Sequence, residues 1–197
     1  MARTIAKDHD QKREKILKTA ARVIADEGIA RASMAQIAEA CGISKANIYH
    51  YYSSKDALLF DILDSHLSAL RDRLCGLDKL SAPGVRLHRF TLETLLAYEG
   101  MDAEHKIQSE GLPLLPRAQQ NTLKSYQRDM VRHLAAILTD VAPAVFAGDP
   151  NKLRAATMSV FGMLNWFYKW SPRASKAERE DYAKLVADLT VHGVKGL

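Results

Sequence analysis

The chain has 197 residues, 47% of them apolar, and a formal net charge of +5. That composition is ordinary for a globular protein and excludes a disordered, collagen-like or disulfide-stapled chain. The basic surplus suits an anionic partner such as nucleic acid, and three of the five excess charges fall in residues 1–60.

Residues 1–9 are polar and expected to be mobile. The segment from Met1 to Ile5 leads into charged residues, so no signal peptide is expected, and no apolar run is long enough to span a membrane. The expected location is the cytoplasm. A first helix is expected from about Asp10, with Ile16, Leu17, Ala20, Val23 and Ile24 on one face and Gly28 at its end. A short helix follows from Ser33 to Ala40, then a Cys41-Gly42-Ile43 turn, then a second short helix from Ser44 to Tyr51. A long fourth helix opens near Lys55 and carries Leu59, Leu63, His66, Leu67, Leu70 and Leu74 as a stripe. Further helices are expected at 85–98, 118–141, 151–170 and 175–192, separated by proline- and glycine-containing breaks. No alternating pattern argues for a strand, so the fold class is all-α.

Cys41 and Cys75 have no metal-ligand spacing and read as small apolar residues. The seven histidines form no zinc motif, and no nucleophile elbow or phosphate loop is present, so neither an enzyme nor a cofactor is expected. A repeat scaffold would show a period of about 34 to 47 residues, which is missing.

Residues 33–55 carry the strongest signal. Two short helices joined by a glycine turn are the elements of a helix-turn-helix. Ile37, Ala38, Ile43 and Ile48 supply its small core, and Ser44 caps the second helix, leaving N–H groups able to meet a phosphate. That second helix has only Ile48 as a clear inward residue. Lys45 and His50 suit guanine edges or phosphates, Asn47 an adenine edge, and Ala46 a thymine methyl. Ser33, Tyr49, Tyr51 and Lys55 are placed for backbone phosphates. Arg3, Lys7 and Lys12 offer a basic arm.

The run Ser33, Ile37, Ala38, Gly42, Ile43, Ser44, Tyr49, Tyr51, Tyr52, Lys55 and Leu58 resembles the signature of the TetR family of repressors. The resemblance covers roughly residues 12–60. It implies about nine helices, a homodimer on a palindromic double-stranded DNA operator, and release of DNA when a small-molecule inducer binds. The expected division is a three-helix head in residues 1–55 and a ligand-binding and dimerisation body in 56–197. The fourth helix is expected to act as a lever between them.

In the body, Phe161-Gly162-x-x-Asn165-Trp166-x-Tyr168-x-Trp170 resembles the penultimate helix of family members that sense acyl-coenzyme A thioesters, although Ser171-Pro172 follows where such members carry another tyrosine. Phe161, Asn165, Trp166, Lys169 and Trp170 are therefore the candidate ligand residues, with Arg117, Arg128 and Arg132 as further cations for the pocket mouth and phenylacetyl-CoA as an example ligand. A multidrug or aromatic-compound sensor, or an activator on the same fold, are the alternatives. Leu153, Met158, Phe161, Tyr182, Leu185, Val186 and Leu189 are interface candidates for the last two helices.

Overall fold

The computed structural model describes residues 2–78 and 80–196, with side chains described for residues 9–78 and 80–193. Among the described residues there is no strand. Ten α-helices follow one another: α1 (Ala2–Glu27), α2 (Met34–Cys41), α3 (Lys45–Tyr51), α4 (Lys55–Cys75), α5 (Pro83–Ala97), α6 (Asp102–Gly111), α7 (Arg117–Val141), α8 (Pro143–Phe146), α9 (Pro150–Trp170) and α10 (Lys176–Gly196). A 3-10 turn, Leu112–Leu114, lies between α6 and α7. Two of these helices, α6 and the single-turn α8, have no counterpart in the sequence reading. The first helix also reaches back to Ala2 through the stretch expected to be mobile; the side chains of Arg3 and Lys7 lie outside the described residues. No helix among the described residues is long and apolar enough to cross a membrane.

The chain forms two compact units that are not consecutive in sequence. One comprises the residues up to Leu67 together with Ala103–Leu123, the other Ser68–Asp102 together with the residues from Lys124 onward. The head expected in residues 1–55 thus sits in a larger unit that also holds most of α4, nearly all of α6 and the start of α7.

In the first unit α1 buries Ile16, Leu17, Ala20, Ala21 and Ile24. Ile37, Ala38 and Cys41 of α2 are buried, as are Leu58, Leu59, Ile62, Leu63 and Leu67 of α4 and Ile107 of α6. Full burial of each large aliphatic side chain contributes about 1.5–3 kcal/mol. Gly111, at the end of α6, is needed for close approach: a Cβ there would lie 3.2 Å from Leu59 Cδ1 and 3.3 Å from Ile29 Cδ1. Lys106 Nζ donates to the Ala25 carbonyl at the last turn of α1, where the helix dipole is negative.

In the second unit α5 lies against α10. Leu87, Phe90 and Leu95 of α5 and Ala183, Val186 and Ala187 of α10 are buried, and Thr91 Oγ1 donates to the Ala183 carbonyl at 3.0 Å. Arg179 is buried; its guanidinium donates to the carbonyls of Leu95 and Ala174 and lies 5.7 Å from the centre of the Phe167 ring. Phe90 meets Phe161 of α9 edge-on, with ring centres 5.9 Å apart. Ion pairs Arg73–Glu93 and Arg86–Asp140 tie α5 to α4 and α7 within this unit.

His66, part of the α4 stripe in the sequence, packs edge-on against His105 of α6, with ring centres 5.7 Å apart. Its Nε2 is buried with no hydrogen-bond partner among the described residues. Burial, and secondarily the neighbouring His105, hold the His66 imidazole down to about 4 from an ordinary value of 6.5. Above pH 6.5 the ring is neutral in both the folded and unfolded chain. As pH falls from 6.5 towards 4, only the unfolded chain takes up the proton, so stability is lost across that window at up to about 1.4 kcal/mol per pH unit. Urea unfolding of wild type and His66→Leu between pH 7.5 and 5 checks this: the variant is expected to show a shallower loss, and an equally steep loss assigns the dependence to other groups.

Candidate nucleic-acid interface

Ser33 caps α2. Its Oγ accepts from the Gln36 N–H at 3.3 Å, and the Gln36 side-chain oxygen accepts from the Ser33 N–H at 2.9 Å, a reciprocal capping box. Gly42 ends α2 at φ 69°, ψ 32°, a left-handed conformation costly for any residue with a Cβ. The chain reverses there, and the Ile43 N–H donates to the Ala38 carbonyl at 3.0 Å. Ser44 then caps α3, its Oγ accepting from the Asn47 N–H at 3.1 Å.

Ile48 is the one fully buried residue of α3, and Lys45, Ala46, Asn47, Tyr49 and His50 are all exposed. The helix carries no acidic residue. Its outward face is thus cationic and donor-rich, with the small Ala46 permitting close approach. Ser33 and Ser44 are exposed beside it, each committed by its hydroxyl to a cap. Tyr51 is half-buried and stacks on His9 of α1, with ring centres 5.1 Å apart.

The Lys55 side chain, expected to meet a phosphate, reaches the connection between α1 and α2. Its Nζ donates to the carbonyls of Ile29 at 2.7 Å, Ala32 at 2.9 Å and Ala30 at 3.3 Å, so the three donors of the ammonium all go to the connection between α1 and α2. Two supporting groups escaped the sequence reading. Asp61 of α4 pairs with Arg13 of α1 through two hydrogen bonds, and the buried Tyr52 hydroxyl donates to the same carboxylate at 2.6 Å. Burial and the Asp61 carboxylate push the Tyr52 phenol up, and the same carboxylate raises Arg13. Tyr52 stood in the sequence motif; Asp61 gave no signal beyond being a lone charge beside Leu58 and Ile62.

The ligand candidates are not brought together. Phe161 is buried against Phe90, in the interior of its own unit. Asn165, expected at an apolar depth, is exposed and accepts from the Tyr98 hydroxyl at 2.7 Å. Trp166 and Trp170 are 63% and 56% exposed, pointing outward where a pocket lining was expected. The reason is helical register: α9 buries Val160, Phe161, Leu164 and Phe167, position 166 falls on the opposite face, and Trp170 lies at the edge of the buried face, edge-on against Phe167 and Tyr182. Lys169 is exposed too, its Nζ 5.9 Å from the centre of the Trp166 ring and 5.2 Å from that of Tyr168.

A capped, glycine-broken pair of short helices that presents an exposed polar second helix defines a helix-turn-helix regulator. The family model for bacterial regulatory proteins of the tetR family matches residues 16–62, and that for the tetracyclin repressor-like C-terminal domain matches residues 81–194. The chain belongs to the TetR family of transcriptional regulators. Among solved structures, a TetR-family regulator from Bordetella parapertussis is 28% identical, with a TM-score of 0.84 over 94% of this chain and 96% of that one. AibR, solved in complex with isovaleryl coenzyme A and operator DNA, is 25% identical, with a TM-score of 0.74 over 90% of this chain and 97% of that one. The repressor KstR2 of Rhodococcus jostii is 32% identical over 96 residues, which is 48% of this chain and 45% of KstR2. The matches to three curated regulators span only 24%, 35% and 45% of their lengths. These relatives are regulators of transcription, not enzymes.

Because Ile48 alone anchors α3 from within, Ile48→Ala is expected to cost about 2–5 kcal/mol. Chemical denaturation followed by Tyr and Trp fluorescence and by helical circular dichroism checks the size, and a loss below 1 kcal/mol would show that the helix is held by other contacts.

Proposed function

We propose that the protein is a homodimeric transcriptional repressor that reads a palindromic operator with α3 in the major groove and leaves it when an acyl-CoA thioester binds. The observation that carries the DNA reading is the single inward residue of α3. With Ile48 buried, the exposed Lys45, Ala46, Asn47, Tyr49 and His50 offer donors and small or flat surfaces, as a helix in a major groove requires. Asn47 is assigned to an adenine edge, Lys45 and His50 to guanine edges or phosphates, and Ala46 to a thymine methyl. Ser33, Tyr49 and Tyr51 flank the groove, and the capped start of α3 at Ser44 faces a phosphate.

Two-fold symmetry is supported by the outer face of the last two long helices. On α9, Met158, Trp166 and Trp170 are exposed, and Gly162 between them has no atom within 4 Å of a Cβ position. On α10, Leu185 and Leu189 are 59% and 56% exposed. The two helices are joined by Tyr182, which stacks on Phe167 with ring centres 4.6 Å apart. Exposed large apolar side chains grouped on two neighbouring helices suit an interaction surface, and a second copy of the same face covers it isologously. Met158, Leu185 and Leu189 thus keep their interface assignment. Phe161 and Val186 belong to the interior, and Trp166 and Trp170 move from the pocket to the interface. Reading successive major grooves requires the two α3 helices of a dimer about 34–36 Å apart, and a ligand that favours another spacing shifts the population away from DNA.

Support for a thioester comes from the likeness to the isovaleryl-CoA-bound regulator, whose match runs along 90% of this chain. A mobility-shift assay on the DNA upstream of the protein's own gene, titrated with isovaleryl-CoA, phenylacetyl-CoA and the free acids, tests both halves. The expected result is a retarded band that thioesters release and free acids do not. No retardation removes the DNA reading, and release by free acids alone removes the thioester. Leu185→Glu is expected to turn the dimer into a monomer in sedimentation velocity and to weaken operator binding by at least tenfold; a dimer that survives this charge places the interface elsewhere.

A further inference from the structure

We infer that Lys55 is a positioning residue for DNA binding, locking the reading head onto α4 through the backbone of the α1–α2 connection, and that it makes no phosphate contact. This rests on the DNA reading above and adds a residue role to it. The connection runs from Gly28, at φ 86°, to Ser33. The Gly28 carbonyl takes the N–H groups of Arg31 and Ala32, and the Ser33 carbonyl takes that of Ile37. The carbonyls of Ile29, Ala30 and Ala32 lie between these and accept no backbone N–H among the described residues. They converge on one point, and the Lys55 ammonium fills it with its three donors.

An ammonium has no fourth donor, so a phosphate could be bound only by giving up one of these bonds. The carbonyls of the buried Ile29 and Ala32 would each carry a desolvation cost if left without a partner, which opposes giving up those two bonds; the exposed bond to Ala30, at 3.3 Å, is the weakest of the three. The contact also fixes orientation. Lys55 is the first residue of α4, three residues after the buried Tyr52, with Ser53 and Ser54 between them, and the turn it holds leads directly into the Ser33 cap of α2. Asp61, two turns further along α4, holds Arg13 and Tyr52. α4 therefore grips α1 and the end of α3 through Asp61, and the turn before α2 through Lys55. Loss of the Lys55 grip leaves α2 and α3 free to vary in angle, which lowers the fraction of molecules ready to bind DNA.

Lys55→Met and Lys55→Arg separate the alternatives. Arginine keeps the charge and reaches a phosphate at least as well, but its planar fork does not reproduce a point donor to three convergent carbonyls. Operator affinity is measured as a function of salt at a temperature where circular dichroism shows each variant fully folded, with Lys45→Met as the comparison. The expected result is a loss on the order of tenfold in both Lys55 variants, as for losing a charged hydrogen bond, with the wild-type salt slope retained. Hydrogen exchange of the Arg31 and Ala32 amides, measured without DNA, is expected to quicken in both. A salt slope lowered by about 0.9 in Lys55→Met, with wild-type affinity in Lys55→Arg, makes Lys55 a phosphate ligand and overturns the inference. Unchanged affinity in both folded variants overturns it as well, leaving a residue that serves stability alone. If the wild type retards no upstream DNA, the DNA reading falls by itself; unchanged amide exchange then overturns the proposed grip and quickened exchange upholds it.

Discussion

A seven-residue helix held by one apolar side chain is the constraint on which the reading head is built. Isolated helices of that length are unstable in water, so α3 exists only because its surroundings impose it. Ile48 provides the apolar attachment. The Ser44 cap satisfies the first turn, and Gly42 supplies the backbone angle that brings α3 against α2. Using so few residues for attachment leaves five side chains outward. A longer or more apolar helix would be more stable alone but would have less surface left for recognition.

That economy moves the burden of rigidity to neighbouring elements. α3 is followed at once by Tyr52, whose hydroxyl donates to Asp61, and Asp61 also receives Arg13. A half-buried carboxylate that meets a guanidinium and a phenol has most of its acceptor capacity occupied, and such partly desolvated pairs depend on good geometry to be stabilising. Polar contacts of this kind are directional, whereas an apolar contact at Ile48 alone would tolerate rotation. The combination specifies both that α3 docks and at what angle. The Lys106 contact to the Ala25 carbonyl applies the same logic from α6, placing a charge on the carbonyl end of α1.

Much of this was legible in the sequence, for reasons that differ by element. The long helices α1, α4, α7, α9 and α10 declare themselves through apolar periodicity, and Ser33, Gly42 and Ser44 mark the short ones through cap chemistry. α6 was not legible. Its ten residues include only Ala103 and Ile107 as apolar side chains, and it is held by contacts distant in sequence, such as that of Lys106 with the Ala25 carbonyl. The outward exposure of Lys45, Ala46, Asn47, Tyr49 and His50 follows from their position relative to Ile48 and was foreseeable. The environment of Lys55 was not, since backbone carbonyls twenty-three to twenty-six positions away leave no mark in side-chain identity.

The α9 aromatics show the same limit from the other side. A motif of Phe161, Asn165, Trp166, Lys169 and Trp170 lists groups suited to holding a flat, partly apolar molecule, but it does not say which face of the helix is turned inward. The register of Val160, Leu164 and Phe167 decides that, and it sends both tryptophans outward. Large exposed indoles are costly to hydrate and are retained where they are buried by something else. Indole rings beside the open Gly162, next to exposed leucines of α10, offer the mixture of flat aromatic and small residues with which a helix pair packs on a copy of itself. Chemical suitability for a ligand and suitability for an interface thus draw on the same residues, and only their orientation separates the two.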